Sequence, residues 1–145
     1  MITLPDVSRL PCDSLSGPDG AEYMRRYYTS GHPKSRSARF HQIISSDPGR
    51  VMHDHPWDFT SRLLSGTYIE HTPQGTRTWT APCVITRRAE MPHRLELPDG
   101  EVWTYVVLGR PRRRWGFWTA GGWVHWRDYP GAGQAQGCGD EYARW

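Results

Sequence analysis

The chain has one lysine, Lys34, and three cysteines, Cys12, Cys83 and Cys138. The cysteines are odd in number, far apart and form no CxxC pair. That excludes a disulfide framework and a zinc knuckle and predicts isolated thiols in a reducing compartment. No apolar run reaches the length needed to cross a bilayer. The opening residues, MITLPDVSRLPCDS, lack a basic stretch followed by an apolar one, so no secretory signal is expected and a cytoplasmic location is. Excess charge of one sign is also scarce, at a net +3. Almost all of the positive charge is arginine, a planar and permanent donor suited to carboxylates and phosphates. A net charge this small leaves no electrostatic footprint for a nucleic acid, and no nucleic-acid or membrane partner is expected.

With 145 residues, 37% hydrophobic and 23% charged, the chain can bury one globular core. Residues 1–35 read as an N-terminal arm in which GAEYMRRYYTS, residues 20–30, predicts a short helix, since Ala21, Met24 and Tyr28 share a helical face. From residue 36 to 129 the pattern changes to short strand-like runs, among them Ala38–Ser45, Ser61–Glu70, Val102–Leu108 and Arg114–Thr119. Turn material such as Ser46-Asp47-Pro48-Gly49 and Pro98-Asp99-Gly100 separates them. Many short strands at regular spacing predict an all-β barrel or sandwich. Residues 130–145 read as a loose tail.

The most informative segment is Val51-Met52-His53-Asp54-His55-Pro56-Trp57-Asp58-Phe59. Side chains two apart on a strand face the same side, so His53 and His55 present their imidazoles together. Neutral imidazole nitrogen suits Fe, Zn, Ni and Cu. Gly66 follows in a turn-like step, and a third histidine, His93, opens another strand-like run.

These residues resemble the cupins. His53 and His55 match the histidine pair of the first cupin motif, Gly66 its closing glycine, and His93 the histidine of the second motif. The similarity spans residues 36–129 and is strongest to small cupins with an H-x-H-P-W-x-F core, here His53 to Phe59, and a late Trp-Gly-Phe, here Trp115 to Phe117. It implies an all-β, single-domain jelly-roll (double-stranded β-helix) barrel holding a divalent metal through His53, His55 and His93, and a homodimer. Counted back from Gly66, the motif's glutamate falls on Phe59, which cannot ligate. The second motif's proline, glycine and asparagine fall on Arg88, Glu90 and Leu97. The implied site is a three-histidine centre, with Asp58 a neighbouring candidate for an extra ligand or support, or an outward residue bonding the Pro-Trp turn. Asp54, Asp58 and Glu96 are the candidates to brace the ligand rings.

Arg39 and His41 alternate on one strand and either face the barrel mouth or lie in solvent. Trp57, Arg62, Tyr68 and Tyr105 are further catalytic or substrate-binding candidates. Arg62 and Tyr68 share one parity, and Tyr105 lies in the apolar run Val102–Leu108. Eight tryptophans are present, and Trp115, Trp118, Trp123 and Trp126 cluster late, as core, a substrate wall or an interface. The run Arg110 to Trp115 reads as a solvated loop entering a strand.

The resemblance extends to thiol dioxygenases, which use three histidines in such a barrel. It implies a mononuclear non-haem Fe(II) oxygenase acting on a small, anionic molecule, with Arg39 or Arg62 as anion holders. Two other readings stand beside it. A Zn, Ni or Mn centre could serve as Lewis acid in an isomerase, epimerase or lyase, with His41 or Tyr105 carrying the proton. The barrel could also bind a ligand or metal without turnover.

Overall fold

A computed structural model of the chain describes residues 3–29, 37–130 and 134–137. Among these residues the chain is built of thirteen strands and one 3-10 turn. The strands are β1 (Cys12–Ser16), β2 (Glu22–Tyr28), β3 (Ala38–Ile43), β4 (Met52–His53), β5 (Phe59–Ser65), β6 (Thr67–Thr72), β7 (Gly75–Thr80), β8 (Cys83–Arg87), β9 (Arg94–Glu96), β10 (Val102–Leu108), β11 (Gly116–Thr119), β12 (Gly122–His125) and β13 (Gln134–Gly137). The turn covers Trp126–Asp128.

One sheet has seven strands in the order β13-β1-β2-β3-β10-β5-β8. Two three-stranded sheets, β12-β11-β4 and β7-β6-β9, complete the fold, and all pairings are antiparallel. An isolated bridge between His53 and His93 joins these smaller sheets edge to edge. Ile43, Leu63, Tyr68, Ile85 and Val102 form the main core, contributed by five strands of the two faces. The apolar alternation of β10 decides its facing. Val102, Thr104, Val106 and Leu108 are buried, while Val107 is exposed.

Three expectations are corrected. Residues 22–28 form a strand, not a helix. Met24 and Arg26 line the interior with period two. Arg26 is held there by two bonds of 2.7 Å to Asp13, its register partner on β1. Helical spacing in the sequence cannot reveal that buried partner. Part of the supposed loose tail is a strand, because β13 pairs with β1. Cys12 is disulfide-bonded, whereas Cys83 is a free thiol. Cys138 lies outside the described residues. No helix among the described residues is long and apolar enough to cross a membrane.

Candidate metal centre

The short strand β4 ends on His53, and the backbone itself sets the site. His53 and His93 exchange N–H···O bonds of 2.9 Å in each direction, and the His55 N–H donates to Ala89 O at 3.0 Å. The segment around residues 89–93 is thereby stitched to the His53–His55 segment. The three rings form a near-equilateral triangle, with centroids 5.0 Å apart for His53–His55 and 4.9 Å for each of the other two pairs. Their potential ligand atoms all lie within 4.8 Å of one another.

Burial, the largest cause, pushes His53 down to about 4 and His55 well below the usual histidine range. Mutual repulsion with His93 adds to both. The rings therefore keep free lone pairs at neutral pH, the form that binds metal. His55 Nδ1 is buried without a hydrogen-bond partner among the described residues. Three close imidazoles, one with an orphaned nitrogen, fit a divalent ion.

Sequence reasoning missed Glu70. It is 2% exposed, and its Oε2 lies 2.8 Å from His93 Nδ1. Burial raises its pKa, but the bonds to His93 and Arg87 outweigh this and hold it down at about 2. An ionised carboxylate only accepts, so His93 Nδ1 carries the proton and Nε2 is left to ligate. Arg87 and Trp79 Nε1 also donate to Glu70. The proposed braces are used elsewhere. Asp54, 0% exposed, accepts from Gly116 N, Trp118 Nε1 and Trp123 Nε1 and pairs with Arg113. Glu96 bonds His71 at 2.8 Å. Asp58 accepts from Ala89 N and Arg112 and leaves the metal centre to the histidines. The basic run is thus partly structural: Arg112 also pairs with Glu90, and Arg113 donates to His55 O.

The triangle opens on a cavity of about 980 Å³. Phe59, where the family motif has glutamate, packs its ring 4.7 Å from His55. Trp57 stacks on His55 at 5.3 Å. Trp115 and Trp126 stack on each other at 5.8 Å, and both line the cavity. Tyr68 faces it as well. Arg39 and His41 face inward, which decides between the two orientations left open by the sequence. Arg39 is 4% exposed, donates from Nε to His41 Nε2 at 2.8 Å, and lies over Trp57.

Arg62 and Tyr105 do not line this cavity. They lie on the outer face of the large sheet with Phe40, Leu64 and Val107. This separates both from the histidine triangle, and for Arg62 the cause is an irregularity in β5. Inward residues are odd-numbered in β5 (Phe59, Ser61) and even-numbered in β6 (Tyr68, Glu70). A bulge at Leu64, where Leu63 and Ser65 face the successive residues Thr104 and Trp103 of β10, shifts the parity between them. Tyr105 sits on the odd, outward face of β10.

No family model and no curated protein matches the chain. Solved structures match its fold. A cupin 2 conserved barrel domain protein from Rhodopseudomonas palustris aligns with a TM-score of 0.60 and 10% identity over 84% of this chain and 88% of that one. A cupin-superfamily sugar phosphate isomerase from Silicibacter pomeroyi aligns with a TM-score of 0.58 and 13% identity, over 84% and 90%. Fe(II) HppE aligns with a TM-score of 0.55 and 12% identity over 75% of this chain, which spans 60% of the HppE chain. The chain shares the fold of these cupin structures, and its three histidines gather on the wall of the cavity.

Proposed function

We propose that the chain is a metal-dependent cupin enzyme acting on a small anionic molecule, and specifically a mononuclear non-haem Fe(II) oxygenase. One observation carries this reading: three imidazoles converge on a large cavity, with Phe59 rather than a carboxylate at the position of the family motif's glutamate. His53, His55 and His93 would hold the ion. Iron bound there would supply activation of dioxygen next to the substrate. Glu70 holds the His93 proton on Nδ1, and Trp57, Phe59 and Trp115 line the site with apolar rings.

The redox-neutral reading has less support. Its two proton carriers were His41 and Tyr105. Tyr105 lies on the outer face, and the His41 Nε2 lone pair already accepts from Arg39. Among structures of similar fold, one is an Fe(II) protein and another an isomerase, so fold alone favours neither.

Elemental analysis of freshly purified protein tests the reading. Iron near one equivalent per chain is expected, falling to background in His53→Ala, His55→Ala and His93→Ala. Metal content unchanged in these variants removes the metal site. Turnover of small phosphonates and carboxylates that persists without oxygen removes the oxygenase.

A further inference from the structure

Beyond the three histidines, the cavity has a second polar wall. Strands β3, β5 and β10 are neighbours in the large sheet, and their inward residues include Arg39, His41, Ser61 and Thr104. None of these three strands contains a carboxylate. Thr104 and His41 are direct register partners, so their side chains stand together on the inner face. Thr104 is 2% exposed, and its Oγ1 has no hydrogen-bond partner among the described residues. Buried hydroxyls are nearly always paired, so a lone one facing a cavity marks a place for a ligand atom. His41 adds a defined donor. Its Nε2 accepts the Arg39 Nε–H at 2.8 Å, which places the ring proton on Nδ1. The ring stays neutral, because burial and the nearby Arg39 and Arg26 charges hold its pKa well below the usual range.

We propose that His41 Nδ1–H and Thr104 Oγ1–H form an oxyanion-binding subsite, backed by the Arg39 guanidinium, that anchors a carboxylate, phosphonate or phosphate group of the substrate. This names the substrate class for the enzyme proposed above and rests on that reading for its catalytic meaning. Two donors with the Arg39 guanidinium behind them favour an acceptor-only group that carries negative charge. The anchored group would sit on the large sheet while the rest of the molecule extends toward the histidine triangle.

The test uses the full chain stripped of metal with EDTA, so that an anion cannot report binding to an ion. Methylphosphonate, inorganic phosphate and acetate are titrated separately by calorimetry, and the preferred probe distinguishes tetrahedral from planar groups. Saturable binding of at least one is expected. Thr104→Val should weaken it about tenfold or more, as loss of one hydrogen bond to a charged group does. His41→Phe should weaken it similarly, and Thr104→Ser should retain it. No saturable binding by the wild type, or equal binding by Thr104→Val and wild type, overturns the subsite. Thermal melts and the metal content of each reloaded variant show that the fold and the histidine centre are intact. If the histidine variants keep their metal while anion binding still depends on Thr104, the proposed function fails and the subsite stands. The opposite pattern, histidine-dependent metal with Thr104-independent anion binding, removes the subsite alone.

Discussion

Glu70 shows how one buried side chain can prepare a ligand it never replaces. Its carboxylate accepts from His93 Nδ1, Trp79 and Arg87, so removing its charge affects orientation and basicity together. Glu70→Gln should lower metal affinity about 10–100-fold without abolishing folding, as measured by competition against a chromophoric chelator. Equal affinity would remove Glu70 from the metal centre. His41 governs a different property. Its folded-state pKa lies well below 6.5, whereas the unfolded chain protonates it near 6.5. Below that pH the unfolded state binds a proton that the folded state refuses. The contribution is therefore fully present above about 6.5 and declines as pH falls beneath it. The melting temperature should drop between pH 7 and pH 5, and His41→Gln should flatten the slope in calorimetric scans. Parallel slopes would show that His41 is not a source of this dependence.

At the scale of elements, turns and hairpins decide which residues reach the site. Gly66 has a φ of 94°, and a Cβ there would lie 2.8 Å from Glu101 O and 2.9 Å from Val102 Cγ2. Gly66→Ala should cost about 2 kcal/mol or more in urea unfolding, through backbone strain and this contact. The β11–β12 hairpin is tied to the histidine segment by Asp54, which accepts from the Gly116 backbone and from two tryptophans on that hairpin. Asp54→Ala leaves these donors and Arg113 without their buried acceptor. It should cost about 3 kcal/mol or more, with a loss of tryptophan near-ultraviolet dichroism. The period-two pattern was readable within β3 and β10. It could not be carried from β5 to β6, because a bulge at Leu64 resets the parity. For that reason Arg62 and Tyr68 share a parity in sequence and opposite faces in space.

For the whole molecule, the His53–His93 bridge joins the two small sheets, so metal binding at these residues would also clamp the fold. Binding at a free metal concentration a hundredfold above Kd should add about 2.7 kcal/mol to stability. Chelation should lower the melting temperature accordingly, and His93→Ala should be insensitive to it. The large cavity, with Arg39 and His41 on one wall and aromatic rings near the histidines, is a product of all three sheets.

The sequence by itself determined the β class, the strand runs between residues 38 and 126, and the pairing of His53 with His55. These follow from periodicity and local spacing, which are short-range. Tertiary structure decided what lies across from what: Asp13 for Arg26, Glu70 for His93, and Thr104 beside His41. Each pair joins residues from different strands, and only strand order and register bring them together. The same applies to β2, whose buried arginine is tolerable in a strand because an acid on the next strand neutralises it.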